Sequence, residues 1–448
     1  MIDLTPYVQT LKNKKIAVFG LGLSGLSVVK ALVSAGAKIV AWDDGTEQQR
    51  KAQSLGAEIQ NLSDTLDNSF DLLVLSPGVP LTHPKPHEVV LRAQHAGVEI
   101  LGDIELLHRS NHGLKTIGIT GTNGKSTTTA LMEHVLNKCD INALAAGNIG
   151  VPVLDLDLTN ADVLVLELSS YQLDLCPTFH PDIAMLLNIT PDHLDRHGDM
   201  EGYTKAKARI LDSDGVKIVG IDTPPTKALS VDTITVSVEG KEADVFVIDG
   251  VLYNKGERVA DVSNIQTLRG EHNYQNIACV YATAKSLELK DDAIIAAVRT
   301  YGGLPHRQYY CGSIGAVNYI NDSKATNAES AAKALSSYDD IYWIIGGLAK
   351  DGGLNGLEKF MSKVERAYLI GKAADDFKIW CDEQGVENII CKTLDVATKS
   401  AHEDAQQSGQ KGTVLLAPAC ASWDQFKSFE KRGDAFMEIV DGFKGRAS

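Results

Sequence analysis

No apolar run in this chain of 448 residues approaches the roughly 18 residues that a membrane-spanning helix requires. The first fifteen residues, MIDLTPYVQTLKNKK, lack the apolar stretch of a signal peptide. Cysteines are few and scattered, at 139, 176, 279, 311, 381, 391 and 420. They are odd in number and form no CxxC pair, so they read as buried thiols in a reducing compartment. Cations are in deficit: 43 Lys and Arg stand against 58 Asp and Glu, a net charge of −15. That balance argues against nucleic acid or an anionic lipid surface as the main partner. An anionic small molecule stays possible, because a glycine loop with a few cations binds phosphate inside an acidic protein. Low-complexity tracts, internal repeats and long Gly/Ser linkers are also missing. A cytoplasmic, soluble chain with no membrane or nucleic-acid partner is expected, acting as a monomer.

What is present is a succession of short apolar runs: KIAVFG (15–20), KIVAW (38–42), DLLVLS (71–76), TIGIT (116–120), DVLVLEL (162–168) and IAMLLNI (183–189). They are continuous rather than alternating, as in strands covered on both faces of a parallel sheet. Helix-like stretches lie between them, such as LSVVKALVSAG and TTTALMEHVLNK. A further series runs through IYWIIGG (341–347), RAYLIG (366–371), ENIICK (387–392) and TVLLAP (413–418). Residues 217–270 differ, with alternating runs such as TITVSV and DVFVIDG that suggest antiparallel hairpins. Length and alternation together predict an α/β chain of three domains, 1–103, 104–303 and 304–448. The first and third read as Rossmann-like, and the middle one as a P-loop domain with a small antiparallel insertion.

Two glycine loops carry chemistry. Gly20-Leu-Gly22-Leu-Ser-Gly25 follows a strand and opens a helix, a setting in which bare amides and a helix N-terminus face a diphosphate. Asp43 ends the next strand, where an acid would meet a ribose in a dinucleotide site. Alone, this pattern suggests an NAD or FAD enzyme, or a tight turn that binds nothing. The second loop is Gly121-Thr122-Asn123-Gly124-Lys125-Ser126-Thr127. Its amides can wrap phosphates, Lys125 can neutralise them and the Ser126 hydroxyl can ligate Mg²⁺. Isoleucine stands at 119, where the usual spacing has its first glycine. This loop is read as an ATP site.

Taken with TGTNGKST, the blocks GNIG (147–150), ELSSYQL (167–173) and NITPDHLDRH (188–197) resemble the ATP-dependent Mur ligases, which build the peptide of the peptidoglycan precursor. GEHNYQNIA (270–278), GLPHRQ (303–308), NDSKATN (321–327) and APACASWDQFKSFEKRG (417–433) are most similar to the member that adds D-glutamate. The resemblance runs from about Gly20 to Gly433 and implies ATP and Mg²⁺ as cofactors. It implies UDP-N-acetylmuramoyl-L-alanine and D-glutamate as substrates. An acyl phosphate is the implied intermediate, and its formation brings two anions together, so metals and cations dominate the chemistry.

Residue roles follow from the same resemblance. Glu167 ends an apolar strand, where a carboxylate is costly unless paired or metal-bound, and with Ser126 it is implied to hold one Mg²⁺. His193, in a Pro-Asp-His turn, is implied to ligate a second. Lys207 in YTKAKARI would by composition be a solvated helix residue. The resemblance implies that it is carbamylated and shares the second ion. Lys205 is about 200° away on the helix, so only one of the two lysines can face the site. Asn148 and Ser169 match positions near the phosphates and the muramoyl carboxylate, and Asn276 matches one beside the adenine. A helix N-cap or core amide is the alternative reading of each. Arg307 is implied to contact ATP phosphates and Asp322 the nucleotide ribose.

For the acceptor, the resemblance implies Thr326, Lys350, Ser422 and Phe429, with Lys324 as an added cation. The segment GGLAKDGG (346–353) departs from the family pattern around Lys350, and Trp423 stands where a smaller apolar residue is common. At the first glycine loop, Leu23, Ser24, Asp43 and Gly78 are implied to hold the uridine diphosphate end of the donor. Asp44 and Gly45 replace a threonine and arginine frequent there. Two other classes compete. An NAD-dependent oxidoreductase leaves the second loop unexplained, and a P-loop switch needs no metal-ligand set. A folylpolyglutamate synthase would lack the N-terminal unit.

Overall fold

The computed structural model describes residues 2–111, 113–268, 270–349 and 352–444. It contains three sheets flanked by helices. By packing, the chain divides into two compact units: one runs up to Ile265 and resumes as far as Tyr301, the other comprises Gln266–Leu268 and the chain from Gly302 onward.

The first unit holds two sheets. The N-terminal one has five parallel strands, ordered Glu58–Ile59, Lys38–Trp42, Lys15–Phe19, Leu72–Leu75 and Glu99–Leu101. The first strand in sequence lies in the middle. The chain then winds to one side and back to the other, so Lys15–Phe19 ends at a switch point where a crevice opens. Its neighbours are covered on both faces, which is why the runs are unbroken Val, Leu and Ile.

The central sheet has nine strands, and Lys115–Thr120 lies between Val163–Glu167 and Ile183–Leu186, parallel to both. Here the chain again switches sides, directly before the second glycine loop. The antiparallel portion is confined to 245–261, where Val245–Ile248, Val251–Asn254 and Glu257–Asp261 extend this same sheet. Ile234–Ser237, whose alternation suggested a hairpin, instead pairs in parallel with Val216–Gly220 and Val245–Ile248. Burial along it steps from half-buried Ile234 and Thr235 to buried Val236 and Ser237, so the alternation of its residues tracks neither burial nor strand direction. A single buried cluster joins both sheets, including Val18 and Val74 from one and Leu166 and Leu186 from the other. The Gly102 amide donating to the Leu175 carbonyl at 2.9 Å bridges the two.

The second unit is a six-stranded sheet. Tyr309–Ile314 is antiparallel to Val317–Asn321, and the rest, in the order Gly412–Leu416, Ile341–Gly346, Val364–Ile370 and Asn388–Lys392, are parallel. Trp343 is buried in its core, and its indole N–H donates to the Ala417 carbonyl at 2.9 Å.

Candidate active site

In the central sheet, strand Lys115–Thr120 delivers loop 121–124 into helix Lys125–Lys138. Gly124 caps that helix at φ +85°, and a Cβ there would sit 2.4 Å from Asn276 Oδ1. Only glycine combines that backbone with that approach. The loop is braced from the neighbouring strand end. Thr122 N donates to the Asn188 carbonyl and Asn123 N to Asn188 Oδ1, both at 2.9 Å. The Lys125 ammonium lies over the loop, donating to the Gly121 and Thr122 carbonyls at 2.9 Å each. Ser126 is buried and Thr127 half-buried in the first turn, where unpaired amides and the helix dipole favour an anion.

Glu167 ends the adjacent strand and is 1% exposed. Its Oε1 accepts from Asn148 Nδ2 at 2.9 Å, while Oε2, also buried, has no hydrogen-bond partner among the described residues. A carboxylate oxygen buried in this way demands a cation. Lys207, likewise 1% exposed, reaches in from helix Met200–Ala208. Its Nζ donates to the Gly121 carbonyl at 2.8 Å and lies 4.9 Å from the Tyr203 ring centre. Burial, and then the Lys125 charge, pull its pKa down to about 7. Lys205 is exposed, so the lysine that faces the loop is Lys207.

His193 precedes helix Leu194–His197 at φ +50°, its side chain half-exposed. The ring lies 5.2 Å from that of Tyr171 and 6.5 Å from that of Tyr203. Lys125, Ser126, Glu167 and Lys207 therefore converge on one loop, with His193 beyond Tyr203. No cluster of three His, Cys, Asp or Glu side chains able to hold a metal occurs among the described residues. The orphaned Glu167 oxygen is what fits a divalent cation here.

The amides and hydroxyls already have partners in the chain. Ser169 is the N-cap of Ser170–Asp174 in a reciprocal capping box with Gln172. Asn276 is buried beneath Gly124, accepting from Thr128 Oγ1 at 3.0 Å and donating to Asn273 Oδ1 at 3.1 Å. Asn148 orients Glu167.

At the first glycine loop, a Cβ on Gly25 would meet the Gly20 carbonyl oxygen at 2.0 Å, so the helix opens against bare backbone. Asp43 is a strut of that loop: Oδ2 accepts from Leu21 N at 2.6 Å and Oδ1 from Gly45 N at 2.8 Å. Leu23 is 81% exposed, and Ser24 lines a small cavity with Gly20, Ser76, Pro77 and Asp103. Asp103, which the sequence did not single out, is wholly buried there, and burial raises its pKa. Arg196 Nη1 donates to the Gly78 carbonyl at 3.1 Å, tying the HLDRH turn to the first sheet.

In the second unit, Asp322 is buried just past strand Val317–Asn321 and accepts from Gln308 N at 3.1 Å. Burial lifts its pKa to about 7. Arg307 is exposed. Lys324 Nζ sits 5.6 Å from the Phe429 ring centre, Thr326 N donates to the Lys324 carbonyl at 2.8 Å, and Ser422 is buried. Trp423 is 72% exposed, so it does not line the unit's interior. Lys350 lies outside the described residues. Arg432, also unremarked in the sequence, proves to be the largest buried cation among the described residues of this unit.

Comparison with known proteins follows the same division. A family model for the Mur ligase middle domain matches residues 119–284, and one for the Mur ligase MurD-like N-terminal domain matches 14–102. The UDP-N-acetylmuramoylalanine–D-glutamate ligase of Paramagnetospirillum magneticum is 44% identical over 449 residues, covering 97% of this chain and 98% of that protein. The ligase of the same name from Caulobacter vibrioides is 44% identical, with 97% of each chain covered. Among solved structures, the UDP-N-acetylmuramate–alanine ligase MurC of Thermotoga maritima aligns at TM-score 0.57 and 19% identity over 96% of this chain and 99% of that one. MurF of Acinetobacter baumannii aligns at TM-score 0.56 and 18% identity over 90% and 91%. These two show the shared fold. With near-complete coverage at 44% identity, the chain belongs to the Mur ligase family, among its UDP-N-acetylmuramoylalanine–D-glutamate ligases.

Proposed function

We propose that this chain joins D-glutamate to UDP-N-acetylmuramoyl-L-alanine, coupled to cleavage of ATP to ADP and phosphate, in the cytoplasmic stage of peptidoglycan synthesis. The observation that carries this reading is the 44% identity along 97% of the chain to a ligase of that name. The chemistry has two steps. A carboxylate oxygen of the donor attacks the γ-phosphorus of ATP, and the bond to ADP breaks, leaving an acyl phosphate. The acceptor amine then attacks the acyl carbon, phosphate leaves, and the amine proton is lost to solvent.

The first step is limited by repulsion between carboxylate and triphosphate, and the site is built to lower it. The amides of Gly121–Thr127 hold the β- and γ-phosphates. Lys125 exchanges its two loop carbonyls for phosphate oxygens, a charge-assisted bond replacing neutral ones. Glu167 Oε2 and Ser126 hold one Mg²⁺, and Asn148 keeps that carboxylate in register. A bound Mg²⁺ neutralises charge on the transferring phosphoryl group. The lowered pKa of Lys207 supports its carbamylation: a neutral amine adds to CO₂, giving a carbamate and releasing one proton. Together with His193 that anion holds a second Mg²⁺. Asn276 keeps the loop and adenine side in place, and Ser169 faces the muramoyl carboxylate.

The remaining roles divide by region. Residues 1–103 bind the uridine diphosphate end through Leu23, Ser24, Asp43 and Gly78, residues 104–303 carry the phosphoryl chemistry, and residues 304–448 supply Arg307 and Asp322 for ATP. The acceptor takes Thr326, Lys324, Lys350, Ser422 and Phe429. No helix among the described residues is long and apolar enough to cross a membrane. The test is phosphate release from Mg-ATP and UDP-N-acetylmuramoyl-L-alanine with D-glutamate, L-glutamate, L-alanine or no amino acid. Release with D-glutamate alone is expected. Release with another amino acid would overturn the acceptor, and no release would overturn the ligase.

A further inference from the structure

Arg432 is 1% exposed, yet no carboxylate lies within ion-pair distance of it among the described residues. Its partners are neutral oxygens. Nε donates to Ser323 Oγ at 3.0 Å, and Nη2 donates to the Ser323 carbonyl at 2.9 Å and the Cys420 carbonyl at 3.0 Å. A Cβ added at Gly347 would meet Nη1 at 3.3 Å. One guanidinium thus lies under three loops that follow the C-terminal ends of adjacent parallel strands: 321–327, 346–348 and 417–422. The first and third carry Lys324, Thr326 and Ser422. Ser323 Oγ also donates to the Phe429 carbonyl at 2.8 Å, which joins the start of helix Phe429–Lys444 to the same assembly.

Burial lowers the guanidinium pKa only to about 10, so the group is cationic at neutral pH. A buried charge without a close counter-ion is destabilising even when its N–H groups are satisfied. The Asp424 carboxylate acts on the guanidinium from beyond ion-pair distance, accepting instead from Lys372 N at 3.0 Å, so the positive charge beneath these loops is only partly offset. Lys324 and the N-terminal end of the Phe429–Lys444 helix dipole add to it.

We propose that Arg432 is a positioning residue for the acceptor amino acid, holding the Lys324–Thr326 and Ser422 loops in register and biasing this crevice toward an acceptor with two carboxylates. The inference rests on the reading of these loops as the acceptor site. The test is steady-state kinetics of R432K, R432Q and S323A with D-glutamate and with the neutral-side-chain analogue D-glutamine. R432K keeps the charge but cannot span both loops, and it should raise KM for D-glutamate about tenfold with KM for ATP within about twofold. R432Q should raise it about a hundredfold and shrink the preference for D-glutamate over D-glutamine at least about tenfold. A purely structural role predicts instead that KM for ATP and D-glutamate rise together with the preference intact, and that result overturns the inference. Should the Arg432 variants not fold, S323A decides: an unchanged KM for D-glutamate there refutes the proposal. Wild-type protein that ligates another amino acid, or none, would refute the acceptor reading itself, a separate failure.

Discussion

Replacing Lys207 by methionine should stabilise the protein at low pH while abolishing ligation. The native Nζ is buried, and its pKa falls from 10.5 to about 7 on folding. The folded chain therefore binds this proton more weakly than the unfolded chain does. Stability rises with pH between about 7 and 10.5, and below pH 7 the full penalty is present. The difference in pKa corresponds to roughly 5 kcal/mol. Methionine keeps the side-chain length without the charge. It forfeits the bond to the Gly121 carbonyl, which still accepts from Lys125 at 2.9 Å and so is not orphaned. That loss costs about 1 kcal/mol. The variant should thus exceed wild type by about 3–4 kcal/mol at pH 6 and reach parity near pH 10. Urea denaturation of nucleotide-free, metal-free and bicarbonate-free protein at pH 6, 8 and 10 measures this directly. The same variant should be inactive, and K207A partly rescued by acetate standing in for the carbamate. A constant stability deficit of K207M at every pH would refute the argument, because it would mean that the native ammonium is not penalised by burial.

Two substitutions probe the rest of the site. E167Q preserves volume and the Asn148 contact but removes the charge on the orphaned oxygen. It should lower kcat about 10²–10³-fold and raise the Mg²⁺ concentration for half-maximal rate, with a melting temperature above wild type's in a metal-free scan, because an unpaired buried charge is removed. G25A drives a methyl into the Gly20 carbonyl oxygen 2.0 Å away. It should destabilise by about 1–3 kcal/mol and raise KM for the UDP-linked donor while leaving KM for ATP unchanged, as a kinetic series in both substrates would reveal.

Both glycine loops could be located in the sequence because their geometry is encoded locally. A strand, a residue pair tolerating close backbone approach and a helix start all fall within ten residues, and the sheet places them at switch points. The choice between Lys205 and Lys207 was not encoded in that way. Helical periodicity says only that the two face opposite directions, and which one is buried depends on Tyr203 and the loop packed from elsewhere in the chain. Strand direction at Ile234–Ser237 was equally hidden, since residue alternation carries no direction and its partners, the preceding and following strands, could have been joined either way.

Arg432 shows the same limit most sharply. In FEKRG it resembles one more solvated charge on a polar helix start, flanked by Glu430 and Lys431, both exposed. What distinguishes it is rotation about the helix: with Gly433 its position turns inward while Glu430 and Lys431 turn out, so that loops from residues 323 and 420 close over it. A local pattern of charges cannot carry that information, because desolvation of a side chain is a property of the segments that cover it. The side chains left unread in this chain include its buried ionisable ones, Asp103, Glu105, His197, His306 and Arg432. Each is buried by segments that come from elsewhere in the chain, which is why the charge pattern around it in the sequence does not mark it.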